Sequence, residues 1–274
     1  MFRSLLADMV SREEEDISLV EAVLYIAGDE YPELDTRAYI GALDQMAREA
    51  RTHPAEGDGP AATLWRLSRY LFFEQGFGGN TDDYYDPQNS YLNRVMDRRL
   101  GIPITLSIVY MEVARRLGMV LEGISLPGHF ILRHGPPEWE LYVDPFNGGR
   151  LLSRGDCERL FQTTFQGRAE FQEEFLAPCT KKTILVRVLS NLRNVYGRRK
   201  DFRRALAATE RIAIVQPDIP RTFRDKAALH LLLGEQRRAA ESLQEYLDAS
   251  PASEDAKRVK DQIRAIWEEI ARRN

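Results

Sequence analysis

The sequence predicts an α+β protein with helices first, a small antiparallel sheet in the middle and a helical repeat at the C-terminal end. Three observations carry this prediction. Apolar residues recur at helical spacing through the first quarter of the chain. Strand-like runs broken by turn formers occupy residues 119–145. Ala205 and Ala239, Pro217 and Pro251, and Tyr196 and His230 each stand 34 residues apart.

Taken in order, Ile17, Val20, Val23, Leu24 and Ala27 mark a first amphipathic helix closed by Gly28. Tyr39, Leu43, Met46 and Ala47 mark a second. Residues 52–60 carry His53-Pro54, Gly57, Gly59 and Pro60 and read as a loop. A third helix is expected around 64–74. Residues 80–103 change character: Asn80, Asp82, Asp83, Asp86-Pro87, Asn89 and Ser90 are turn formers, interleaved with Tyr84, Tyr85 and Tyr91. Such a loop either carries a site or is a packed Ω-loop. The next helix runs from Pro103, a residue suited to the first helical position, to Leu117, with Gly118 as its stop.

Residues 129–144 read as a hairpin around a four-residue loop at 135–138. In that register Phe130 faces Val143 and Leu132 faces Leu141, while Arg133 meets Glu140 and His129 meets Asp144. A one-residue slip would send His129 and Asp144 to opposite faces of the sheet. The 34-residue period over 186–219 and 220–253 is the tetratricopeptide signature, and 254–273 suits a capping helix. Two repeats rarely stand alone, so they are expected to pack on the preceding domain.

The bulk numbers narrow the function. The chain has 274 residues, room for one large domain or two modest ones, and a formal net charge of -4. That charge argues against nucleic-acid partners, and basic stretches such as Arg198-Arg199-Lys200 read as solvated helix surface. No stretch approaches the roughly 18–20 apolar residues that cross a bilayer, so no membrane partner is expected. Two cysteines, Cys157 and Cys179, and four scattered histidines make no metal-ligand spacing. No metal and no cofactor are therefore expected, and a reducing cytoplasm fits best.

Gly101-Ile102-Pro103-Ile104-Thr105 with Arg115-Arg116-Leu117-Gly118, then Pro127-Gly128-His129-Phe130, then Val143-Asp144-Pro145 with Asn147-Gly148-Gly149 together resemble the three site segments of transglutaminase-like proteins. Asn89-Ser90-Tyr91-Leu92-Asn93, Asp144-Pro145-Phe146 and Arg224-Asp225 sharpen the resemblance to the bacterial SirB-type family. There such a core precedes tetratricopeptide-like helices. The resemblance spans roughly residues 17–270. It implies a papain/transglutaminase-like core and this domain plan: 1–79 N-terminal helices, 80–180 core, 181–274 helical repeats.

The resemblance also implies a Cys-His-Asp triad, from which this chain departs. Counted back from Gly118 as in the enzymes, the cysteine's place falls on Pro103, while His129 and Asp144 remain as triad remnants. Cysteine there would gain thiolate character from the helix dipole; proline supplies the helix start without a nucleophile. Thr105 lies about 200° around the helix from Pro103, whereas Ser107 shares its face about 6 Å deeper. Ser107 is thus the one substitute nucleophile on that face, and small-residue packing is its rival role. His129 and Asp144 read either as a base and its orienter or as a buried polar pair fixing the hairpin. Asn89, Ser90, Tyr91, Asn93, Pro103, Thr105 and Asn147 are the candidate cleft residues, and Tyr84 and Tyr85 adjoin them. The expected function is a non-catalytic protein- or peptide-binding scaffold using the degenerate cleft and the helical repeats. The alternative is an amidase- or protease-like hydrolase using Ser107 or a water activated by His129 and Asp144.

Overall fold

The computed structural model describes residues 1–54, 57–136 and 139–273. Compactness divides the chain into two units, Met1–Val188 and Leu189–Asn274. The first is α+β and the second is all-helical.

The first unit opens with α1 (Phe2–Val10), α2 (Leu19–Gly28) and α3 (Thr36–Thr52). Asp35 caps α3 by accepting from Arg37 N and Ala38 N. α4 (Pro60–Ser68) starts on a proline at its first turn and runs into a π-helical turn, Arg69–Glu74. The expectation did not include α1, and it started the third helix four residues late, at 64 rather than at Pro60. A two-residue parallel bridge, β1 (Gly78–Gly79) to β2 (Leu100–Gly101), closes the base of the next segment. Between them lie a 3-10 turn, Pro87–Ser90, and α5 (Leu92–Arg98), so much of the expected loop is helical.

α6 (Pro103–Arg116) is buried on nearly every side, from Pro103, Ile104 and Thr105 through Val113 and Ala114. A helix of that kind belongs in the middle of a core. It packs against α2, α3, α4 and α5 on one side and against the sheet and the Asp144 turn on the other. The sheet comprises β3 (Glu122–Ile124), β4 (Ile131–His134), β5 (Leu141–Asp144), β6 (Arg150–Leu152) and β7 (Pro178–Cys179). It is antiparallel in the order β6-β5-β4-β3-β7. α7 (Arg154–Phe165) starts at a Ser153–Asp156 capping box and packs on β5 and β6.

The hairpin register differs from the sequence expectation by two residues. Leu132 pairs with Val143, Arg133 with Tyr142 and His134 with Leu141. A two-residue shift keeps every side chain on its predicted face, which is why the apolar alternation could not distinguish the two registers. The connection between the strands is correspondingly longer than four residues, and Pro137 and Glu138 lie outside the described residues. Arg133 still reaches Glu140, at 3.8 Å and diagonally, but its shorter ion pair is with Glu122 at 2.7 Å. His129 lies before β4, so its meeting with Asp144 is not a ladder pairing.

α8 (Lys181–Arg198) runs through the division between the units, its N-terminus capped by Thr180 Oγ1 accepting from Thr183 N. The second unit continues with α9 (Phe202–Val215), α10 (Pro220–Leu232), α11 (Gln236–Ala249) and α12 (Ala256–Arg273). α10 packs on α9 and α11, and α11 packs on α12. α9 and α11 begin 34 residues apart, at Phe202 and Gln236. The repeated residues have repeated environments: Ala205 and Ala239 are both 0% exposed, and Tyr196 and His230 are both buried. Alanine recurs where neighbouring helices approach too closely for a larger side chain. Ala239→Leu is therefore expected to cost about 1–3 kcal/mol by overpacking, read as a lower urea midpoint at an unchanged slope.

Candidate functional site

The site is built on one carboxylate. Asp144 ends β5, is 2% exposed and caps the following 3-10 turn, Pro145–Asn147. Its Oδ1 accepts from His129 Nε2 at 2.9 Å, Phe146 N at 3.1 Å and Asn147 N at 3.3 Å, and Oδ2 accepts from Asn147 Nδ2 at 2.7 Å. Burial pushes the acid upward, but the His129 bond and charge, with the Asn147 bonds, outweigh it and leave its pKa below the ordinary value. An ionised carboxylate only accepts, so Nε2 of His129 carries the proton. The other ring nitrogen, Nδ1, has no hydrogen-bond partner among the described residues. It is the group left for a ligand.

The turn around Asp144 is held from behind. Gly149 N returns to Asp144 O at 2.9 Å, and Gly149 O accepts from Ser68 Oγ at 2.8 Å. Gly149 has φ +70°, and a Cβ there would lie 2.3 Å from Ser68 Oγ, so only glycine fits. Gly79 of β1 has a parallel role, since a Cβ would strike the Phe146 ring at 2.5 Å. Phe146 in turn meets His129 edge-on at 6.0 Å and Tyr84 at 6.1 Å.

Arg187 of α8 was not legible in the sequence as a site residue. Its guanidinium donates to His129 O at 2.6 Å, Leu126 O at 3.3 Å and Ser125 Oγ at 2.5 Å, and lies 5.5 Å from the centre of the Phe130 ring. It has no carboxylate partner among the described residues, and burial lowers its pKa. A basic residue in a long amphipathic helix gives no hint that it clamps a turn from a different part of the chain.

The other candidate cleft residues form a second, structural network. Asn89 is 1% exposed; its Oδ1 accepts from Asn80 Nδ2, and its Nδ2 donates to Asp83 O and Tyr84 O. Thr105 Oγ1 donates to Asn89 O at 2.7 Å and accepts from Ile102 N at 3.1 Å, tying this loop to the start of α6. Ser90 and Tyr91 are buried, with Tyr91 edge-on to Tyr31 at 5.4 Å. Asn93 is buried, and its Oδ1 has no partner among the described residues. Pro103 is the first residue of α6 and is buried. Ser107 is 0% exposed, and its Oγ has no hydrogen-bond partner among the described residues, so it is not joined to His129.

Neither thiol is activated. Cys157 lies in α7, where burial pushes it up to about 12, and burial pushes Cys179 in β7 up to about 11. A cavity of about 210 Å³ opens beside Asp144 and Asn147, lined also by Arg150, Asp156, Arg159 and Thr163. No grouping of three or more His, Cys, Asp or Glu fit to hold a metal ion occurs among the described residues. No described helix is long and apolar enough to cross a membrane.

A helix start, a histidine turn and a capped aspartate arranged around a small sheet define a transglutaminase-like core. The chain belongs to the transglutaminase-like superfamily, whose family model matches residues 37–190. A tetratricopeptide-repeat model matches residues 192–264. Similar proteins of the SirB-type group carry the name UPF0162 protein, which states no activity. One from Xylella fastidiosa is 37% identical over 261 residues, covering 92% of this chain and 91% of the relative. One from Pseudomonas aeruginosa is 32% identical over 206 residues, covering 74% of each chain. Part of the chain is also similar to F-box only protein 21 of Mus musculus, at 41% identity over 100 residues, covering 33% of this chain and 16% of that protein.

Two outcomes check this geometry. A carboxylate with a depressed folded-state pKa contributes stability above its ordinary value of 3.8 and loses that contribution as pH falls through the folded value. The wild-type protein should therefore lose stability below about pH 4, and Asp144→Asn should lose less over the same interval while starting lower at pH 7. Urea midpoints across that range read both. Arg187→Met removes the side-chain donor from His129 O and one of two donors from Leu126 O, which keeps His129 N at 2.9 Å. It should cost about 1–3 kcal/mol and speed amide exchange in residues 126–131, with the α10–α11 amides unchanged.

Proposed function

We propose that this protein is a non-catalytic, protein- or peptide-binding scaffold that presents the degenerate site around His129 as one surface and the helical repeats as another. The observation that carries this reading is Pro103 at the first turn of α6, where the triad cysteine of the resemblance would stand, in a chain that has the His129–Asp144 pair. The two thiols the chain does possess are held protonated. The cavity beside Asp144 is of a size for a single side chain, well under the roughly 300–1,000 Å³ of small-molecule clefts. Two unpaired thiols fit a reducing compartment, and we place the protein in the cytoplasm.

Hydrolysis is the second reading, favoured by the ordered dyad with Nδ1 unengaged. It would need a water as nucleophile, because Ser107 Oγ is sealed in the core without a bond to His129.

The test uses the missing thiol. The wild-type protein should show no turnover on amide or ester libraries, and no alkylation by iodoacetamide near neutral pH beyond the slow background of Cys157 and Cys179. Pro103→Cys should add one site alkylated at least about tenfold faster, with a rate that His129→Ala reduces. Turnover by the wild-type protein that His129→Ala abolishes would sink the scaffold reading. Any partner whose binding survives both His129→Ala and Tyr84→Ala would remove the cleft from it.

A further inference from the structure

A cavity of about 540 Å³ lies in the first unit, and none of the candidate cleft residues lines it. Four parts of the chain border it. They are the 3-10 turn Glu14–Asp16 with the start of α2, the last two turns of α6, the segment ahead of β3, and the first residue of α8. Ile17, Leu19 and Leu121 are buried and make its floor, with Met111 half-buried beside them. Val120 is 73% exposed at the mouth. Its carbonyl accepts from His134 Nδ1 at 2.9 Å, which fixes that segment. Such a floor accepts an apolar body, because burial there removes apolar surface from water on both sides.

The charged part of the lining consists of three carboxylates and two cations. Glu112 is buried, and its Oε2 accepts from Arg115 at 3.1 Å and from Arg116 at 2.6 Å. Lys181 Nζ donates to Glu15 O at 3.0 Å, and Lys181 N donates to Glu14. The carboxylates of Glu15 and Asp16 are exposed and have no hydrogen bond or ion pair among the described residues. Adding the side chains bonded to the lining, Glu14 and Arg116, gives four carboxylates against three cations, so the balance stays one negative. The start of α2 and the end of α6 bring helix-dipole ends of opposite sign to the same space, which offset one another. Ser18 does not cap α2 through its side chain, so its hydroxyl is not engaged there.

We infer that this cavity binds a small cationic amphiphile, a primary amine carried on an apolar body. The ammonium sits at Glu15 and Asp16, and the body lies against Ile17, Leu19, Met111 and Leu121. This site is separate from the scaffold role and does not rest on it. A carboxylate on the same body would bring like charge against two carboxylates that nothing in the lining pairs. An uncharged body would leave both unpaired, whereas an ammonium has three donors to share between them and the Ser18 hydroxyl. The volume falls within the roughly 300–1,000 Å³ range of small-molecule sites, unlike the cavity beside Asp144.

The test is isothermal titration calorimetry of the full chain at low ionic strength with octylammonium, octanoate and ethylammonium. Octylammonium should bind at a single saturable site. Octanoate should bind at least about tenfold more weakly because its charge is reversed, and ethylammonium likewise because it lacks the methylenes that fill the floor. Val120→Lys puts a cation at the exposed mouth, so circular dichroism should be unchanged while octylammonium affinity falls at least about tenfold. Phe73→Lys, the same change at a residue 77% exposed and outside the lining, should have little effect. Replacing Glu15 by Gln and Asp16 by Asn together should narrow the gap between octylammonium and octanoate and remove the salt dependence of octylammonium binding. No saturable binding, equal affinity for octanoate or ethylammonium, or equal losses in Val120→Lys and Phe73→Lys would overturn the inference.

Discussion

An ionised carboxylate cannot sit where water is nearly excluded unless the chain surrounds it with donors, and much of the first unit is arranged to meet that demand at Asp144. Two backbone N–H groups of the Pro145–Asn147 turn, the Asn147 amide and the His129 ring supply four bonds. The turn can close only because Gly149 takes a left-handed conformation against Ser68, and Phe146 can lie flat only because Gly79 has no side chain. His129 is held by the same carboxylate on one side and by Arg187 at its carbonyl on the other. Losing one donor would leave a desolvated charge under-compensated, which costs more than the bond itself contributes.

That constraint gives the His129–Asp144 pair a structural role. In a catalytic triad the aspartate orients the histidine and the histidine activates a nucleophile. Here the aspartate also caps a turn and links β5 to the segment before β4, so the pair has a structural duty without a thiol. Proline at the start of α6 is consistent with that duty, since a first-turn residue needs no N–H partner and has φ already near the helical value. The neighbouring network of Asn80, Asn89 and Thr105 is of the same kind: its side chains are engaged with backbone groups and with one another. It shapes the surface carrying Tyr84 while offering little of its own chemistry.

The second unit has a different economy. Its core is aliphatic and aromatic, with Ala227, Leu243, Tyr246, Leu247, Val259 and Ile266 packed together. Ion pairs between successive helices set their relative placement at the edge of that core. Arg224 and Asp225 are adjacent in sequence, so one dipeptide links three helical elements through Arg193 and Asp255. Partly exposed pairs of this sort contribute little stability each.

By itself the sequence determined the class of elements and their order. Helical spacing placed α2, α3 and α6, and the 34-residue period placed α8 to α11, because burial on one face must repeat with the geometry of the helix. The motifs around Pro103, His129 and Asp144 also disclosed the kind of core. Tertiary structure alone decided the hairpin register, since a two-residue shift leaves the apolar faces the same and only the packing of the ends selects between them. It also decided that Asn89 and Thr105 bind backbone rather than face outward, that Ser107 is sealed, and that Arg187 clamps the histidine turn. Those roles depend on which distant groups meet in space, and a residue's type and near neighbours carry no record of a partner about 60 positions away.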